Sequence, residues 1–206
     1  MVVRRTDTRE QILRLAEEYL QQRGFNGFSY KNLAEDLGVR PAAIHYHFPS
    51  KSDLGVALIA RLRERFGRWS AKMGPGDGFW VRFDGYVDIH AGYLQDDGKV
   101  CPSGVVEVEY HVIPVEMREE ASRLVTDMQG WLSETLSAGR AAGECQFDGT
   151  AEDQATAICA TLQGALQIAR ICGPESFRVA TAHVRRQLRV SSRDDGTHGE
   201  EDGQCI

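Results

Sequence analysis

The segment from Ser29 to Asp53 constrains this chain more than any other, because it spells two short helices hinged on one glycine. Leu33, Ala34 and Leu37 give the first helix a single apolar face. Ser29 is a suitable N-cap for it. Gly38 follows the last periodic residue, where the left-handed C-cap conformation costs a glycine least. Val39 packs in the turn, and Pro41 opens a second helix at a position where no N–H is needed. Ile44 and Phe48, at i and i+4, seat that helix on the first, and small Ala34 marks the closest crossing. This is helix-turn-helix spacing. Amphipathic helix pairs joined by glycine are also common in all-α proteins that bind nothing.

The outward face of the second helix separates these readings. It carries Arg40, Ala42, Ala43, His45, Tyr46 and His47, where an ordinary solvated face is richer in Glu and Lys. Small residues permit close approach, rings donate or accept, and Arg40 is a fixed cation. Lys31 and Lys51 flank this face and are candidates to hold phosphates, as is the start of the following helix near Ser50, and Ser29 and Tyr30 complete the candidate DNA-binding set. The expectation is a helix read into a DNA groove.

From about Thr8 to Phe66 the chain resembles the DNA-binding domain of the tetracycline-repressor (TetR) family. The carrying residues are Ile12, Ala16 and Leu20, then Gly24-Phe25, Ser29, Leu33-Ala34 and Leu37-Gly38-Val39. Ala43 to Phe48, Lys51 and Leu54 complete the set. Tyr46-His47-Phe48 followed by Lys51 is the most specific piece. Pro41-Ala42-Ala43 departs from the pattern by lacking polar readers, so discrimination leans on Arg40, His45, Lys31 and apolar contact with thymine methyls. The resemblance implies an all-α protein of about nine helices. A three-helix DNA-binding head would precede a helical bundle for ligand binding and dimerisation.

The 206 residues suit that division: a head over 1–52, a regulatory body over 53–190 and an acidic, disordered tail over 191–206. The net charge of −6 divides unevenly. The head holds eight basic and six acidic residues and the remainder sixteen and twenty-four. A mildly basic head on an acidic body favours one orientation on DNA. It also means few phosphate contacts per head, so two heads should act together. No stretch approaches 18 uncharged apolar residues, and Met1-Val-Val-Arg-Arg5 is not followed by an apolar run, so a soluble cytoplasmic protein is expected.

Along the chain, Asp7-Thr-Arg-Glu10 resembles a capping box for a helix ending near Arg23. A fourth helix starts near Ser50 and stops before Gly74-Pro-Gly-Asp-Gly78. The fifth spans Phe79 to Asp96, and Asp96-Asp-Gly98 stops it. The sixth opens at Pro102 and runs to about Val112, and the seventh follows Pro114 to about Ala142. Thr150 and Asp153 cap an eighth to about Ile171, and a ninth ends near Val190.

The eighth helix is apolar on more than one face, which calls for neighbours nearly all round. Leu162, Ala165, Leu166 and Ala169, with Val184 and Leu188 of the ninth, are the candidate residues of a two-fold four-helix interface. A monomer with one large buried helix is the alternative. A dimer should read a palindrome with heads about 34–36 Å apart.

Trp80, Phe83, Tyr86, His90, Tyr110, Met117, Met128 and Trp131 fall on helices five to seven. They line a ligand pocket or are simply core. Glu107, Glu109 and His111 either point inward or form a solvated stripe. The resemblance implies a two-state balance in which a ligand favours a head spacing that no longer fits DNA. Some relatives activate, so repression is a preference.

The five cysteines, Cys101, Cys145, Cys159, Cys172 and Cys205, show no CxxC spacing, and neither a metal site nor a cofactor is expected. Cys159 and Cys172 read as small core or interface residues. Cys101 precedes a helix start, where free N–H groups favour thiolate. It is read either as a sensor of electrophiles or oxidants lining the pocket, or as an inert capping cysteine. A helical-bundle enzyme finds no support: there is no Ser-His-Asp elbow, His-Glu-x-x-His or phosphate loop. A purely architectural DNA binder has no use for so large an acidic body.

Overall fold

Alternation of apolar stripes with glycine and proline stops gives helices only, and a computed structural model describes residues 5–74, 76–94, 99 and 101–189 of the chain. Among them are nine helices. The head comprises α1 (Arg5–Arg23), α2 (Tyr30–Leu37) and α3 (Pro41–His47). The long α4 (Lys51–Ser70) leads into the body, made of α5 (Phe79–Gly92), α6 (Pro102–Val108), α7 (Val115–Ala141), α8 (Ala151–Cys172) and α9 (Glu175–Leu188). The all-α expectation of a helix-turn-helix head followed by a helical bundle holds.

Several ends follow from local chemistry. Ser29 and Ser50 cap α2 and α4 in full capping boxes with Asn32 and Asp53. Thr150 caps α8 through the Asp153 amide. Other ends differ from expectation. The helix expected to start at Asp7 is already running at Arg5, so Asp7 lies inside it. α5 stops at Gly92, a residue that weakens a helix, and the expected stop at 96–98 lies outside the described residues. α6 stops at Val108 because Glu109 leaves the helix to form a turn, with the Val112 amide donating to its carbonyl at 2.8 Å. The 191–206 tail, Cys205 and Val190 also lie outside the described residues.

One continuous apolar core joins head and body. Ile12, Ala16, Leu20, Leu33 and Ile44 fill the head, and Leu54, Leu58 and Leu62 of α4 carry the core upward. In the body α4 packs on α7, α7 on α8, and α8 on α9. α8 is long and apolar enough, at a mean hydropathy of 1.2, to cross a membrane on length and composition alone, although Thr156, Thr161, Gln163 and Gln167 interrupt its apolar run. Its packing between α7 and α9 accounts for one side of that apolar surface.

Leu162, Ala165, Leu166, Ala169, Val184 and Leu188 are all buried within the protomer. They hold α8 and α9 to their own chain and are not available to a partner. The apolar positions left open are Ala157, Ala160, Gly164, Ile168 and Ile171 on α8, with Val179 and Ala182 on α9. Ile171 is 88% exposed, and a side chain at Gly164 would meet nothing within 4 Å.

Candidate nucleic-acid interface and adjoining cavities

The hinge between α2 and α3 is built as its residues dictate. Gly38 takes the left-handed conformation (φ 65°, ψ 29°), and the Val39 amide donates to the Ala34 carbonyl at 3.0 Å. Ile44 and Phe48 are buried beneath α3. Arg40, Ala42, His45 and Tyr46 are exposed on its outer side, and Ala43 and His47 are half-buried. His45 Nδ1 lies 3.3 Å from the Pro49 carbonyl, and its ring packs edge-on against Tyr30 at 4.7 Å. A carbonyl only accepts, so Nδ1 is the donor in this contact. Lys31 is 79% exposed beside Glu35 at 3.8 Å, a pairing that salt and water screen heavily.

Two of the expected DNA-binding side chains have structural partners within the head. Tyr30 is buried, and its hydroxyl is shared between the carbonyls of Phe48, at 2.9 Å, and Ser50. Burial, with the Asp53 charge adding, pushes its pKa up to about 12. Lys51 donates to the Phe28 carbonyl at 2.5 Å and lies over the rings of Phe25 and Phe28. Burial pushes its pKa down, against the opposing pull of Glu109. Both side chains fasten α3 and α4 to the head. Ser29 is exposed, with its hydroxyl engaged in the cap of α2.

Two cavities lie between α4, α5, α6, α7 and α8. The larger, about 250 Å³, is walled on the α4 side by Leu62, Arg65, Phe66 and Trp69, and closed by Ile89, Tyr93, Cys101, Pro102 and Leu124. The smaller, about 170 Å³, reaches Tyr86, Glu107, Gln129, Cys159 and Gln163. His90, Ser103 and Met128 form the wall common to both. Of the expected pocket residues, Tyr86, His90, Cys101 and Met128 therefore meet here. The others do not. Trp131 packs behind, stacked on Tyr86 at 5.7 Å and against Trp69 at 4.8 Å. Phe83 is core against Phe79, and Met117 is buried under α4 near Gly55. Trp80 sits at the far end of α5, donating to the Glu144 carbonyl at 3.1 Å. Tyr110 falls beyond the early end of α6 and is 50% exposed.

Cys101 also corrects its expected acidity. It precedes the first turn of α6, with Sγ 3.1 Å from Ser103 Oγ. Burial raises its pKa, and the hydrogen bonds from Ser103 and the Ser103 and Gly104 amides only partly offset this. The resting thiol is therefore protonated at neutral pH. His90 is almost fully buried, its Nδ1 3.0 Å from the Tyr86 carbonyl, and burial lowers its pKa against that hydrogen bond.

Residues that pattern reading missed connect cavity and head. At one end of α6 are Cys101 and Ser103. At the other, Glu109 accepts from the Phe25 amide at 2.8 Å, while Asn26 donates to the Val112 carbonyl at 3.3 Å. Gly24 sits at φ 78°, and a side chain on it would strike the Glu109 carboxylate. Arg65, on the cavity wall, is paired at 2.8 Å with Glu17 of α1, which also takes Arg61 at 2.8 Å. Leu62, Phe66 and Trp69 recur at i, i+4 and i+7, a signal that could have found this wall. The reach of Glu109 to residues 84 positions earlier carries no such signal.

Comparison with known proteins agrees with this layout. Residues 12–58 match the model of bacterial regulatory proteins of the tetR family, and residues 83–188 match the tetracyclin repressor-like C-terminal domain. The HTH-type transcriptional repressor NemR of Escherichia coli (strain K12) is 28% identical over 193 residues, 87% of this chain and 92% of its own. The structure of a TetR-family transcriptional regulator from Agrobacterium tumefaciens superimposes with a TM-score of 0.85 at 27% identity, covering 91% of this chain and 100% of that one. The reduced form of E. coli NemR does so with a TM-score of 0.81 at 24% identity, covering 90% and 99%. With both halves of the chain matched and an exposed second helix on a helix-turn-helix head, the protein belongs to the TetR family of DNA-binding transcriptional regulators.

Proposed function

We propose that the protein is a ligand-responsive repressor that binds a palindromic operator as a homodimer and is released by a small molecule entering the cavities beside α6. The observation that carries this reading is the continuity of α6. One end forms the cavity wall and the other holds the head by its backbone at Phe25. Seven residues of helix span about 10 Å, so a ligand that displaces Cys101 and Ser103 also displaces Glu109. The head, 1–52, then turns relative to the body, 53–190, and the spacing of two heads no longer fits the groove. Base contacts are assigned to Arg40, Ala42, Ala43, His45, Tyr46 and His47, with Lys31 and Ser29 on phosphates.

The partner face is the exposed strip Ala157, Ala160, Gly164, Ile168 and Ile171 with Val179. Gly164 allows two copies of α8 to approach closely. A cytoplasmic location goes with binding chromosomal DNA.

A second reading has one supporting observation: a thiol stands in the cavity wall. Covalent capture of an electrophile by Cys101 would act on the same end of α6, and E. coli NemR has been described in a reduced form. Gel shifts with DNA from the protein's own promoter neighbourhood test both. Specific, salt-sensitive binding that a reversible ligand dissolves supports the first reading. Release by a thiol-reactive electrophile, lost in Cys101→Ser with DNA binding intact, supports the second. Absence of any specific shift counts against a role at that promoter.

A further inference from the structure

The larger cavity has strongly apolar walls, and most of its polar groups are already engaged. Arg65 is paired with Glu17 at 2.8 Å, and Arg61, which shares that carboxylate, is also paired with Glu10. Cys101 and Ser103 face each other at 3.1 Å. His90 differs. It is 3% exposed, and the Tyr86 carbonyl at Nδ1 fixes the proton there. Nε2 is then a hydrogen-bond acceptor on a ring lining both cavities. A ligand that brings a donor into the cavity gains a hydrogen bond there, and one that lacks it does not.

Charge restricts the ligand further. Among the described residues the larger cavity offers no uncompensated ion, so an anion or a cation would lose its hydration without gaining a counter-charge. Phe66 and Trp69 supply flat apolar surface, and 250 Å³ is below the usual range of about 300–1,000 Å³ for ligand pockets, which limits the occupant to one or two rings. We propose that His90 is the specificity-determining residue of this cavity, and that its effector is a small, uncharged aromatic molecule carrying one O–H or N–H donor, as a phenol does. This rests on the reading of the cavity as an effector site.

The test uses the full-length protein, with 2-naphthol, 2-methoxynaphthalene and 2-naphthoate as probes. Calorimetry at pH 7 gives affinities, and an operator gel shift is run alongside. The expected result is that 2-naphthol binds about five- to tenfold more tightly than its methyl ether, the worth of one neutral hydrogen bond, and that naphthoate binds weakest. In His90→Phe the preference falls to less than about twofold while the ether still binds. His90→Leu repeats the measurement if circular dichroism shows the phenylalanine variant unfolded. Equal binding of naphthol and ether in the unmodified protein, a preference that survives loss of His90, or tightest binding of naphthoate each overturns the assignment and leaves the effector reading standing. Binding of none, with no release of the operator, overturns both.

Discussion

Cys101 shows how a single buried atom can have opposing influences on it. The first-turn amides of α6 stabilise a thiolate, desolvation destabilises it, and desolvation is the larger. Because its pKa is raised, the neutral thiol dominates at pH 7 and the reactive form appears only as pH climbs beyond the ordinary cysteine range. Alkylation of Cys101 by iodoacetamide, followed by peptide mass spectrometry, should therefore accelerate from pH 7 to pH 9 without reaching a plateau. A plateau at or below pH 7.5 would mean an acidic thiol and return the sensor reading to first place. Tyr30 gives a second prediction at this scale. Tyr30→Phe removes the hydroxyl shared by the Phe48 and Ser50 carbonyls, at a cost of about 1–2 kcal/mol of stability in denaturant unfolding. A direct phosphate contact would instead show as a smaller salt dependence of operator binding, with stability unchanged.

Among the elements, α4 and α6 decide how the head is held. Gly55 on α4 is closed in by Met117 and Phe25, with a built Cβ only 2.7 Å from Sδ and 2.9 Å from the ring. Gly55→Ala forces these apart and should cost about 1–3 kcal/mol, read as a lower Tm, together with weaker operator binding. Glu109→Ala should leave effector affinity unchanged in calorimetry while blunting release of the operator in gel shifts, because the cavity end of α6 is intact and the head end is cut. Loss of both properties would make Glu109 merely structural. The helices were legible because caps and breakers act within a few residues: Ser29, Gly38, Ser50 and Thr150 all do what their positions suggest. The cavity was half legible. Periodicity finds Tyr86, His90 and Met128 as inward residues, but it cannot say whether an inward side chain meets another or an opening. Trp131 and Phe83 meet neighbours. The same limit explains α8. An all-round apolar helix needs two sets of neighbours, and the residue pattern does not say which side belongs to its own chain.

For the whole molecule, the charge split of the chain makes association central. One head with a surplus of two basic residues neutralises few phosphates, so a single copy should bind weakly. Ile168→Glu puts a charge on the exposed α8 strip, outside the protomer's core. Sedimentation should then report a monomer with an unchanged thermal midpoint, and operator affinity should fall by about a hundredfold or more as paired heads are lost. A variant that stays dimeric would place the interface elsewhere. The hold of the body on the head has another consequence. Glu109 grips the main-chain amide of Phe25, and the Asn26 side-chain amide donates to the Val112 carbonyl. On the receiving side, that grip asks for a bare glycine at 24 and a side-chain amide at 26, and for nothing on the outer face of α3. The groove-reading surface is thus free to diverge without disturbing the grip, so operator preference can change while the seat of the head on the body stays the same.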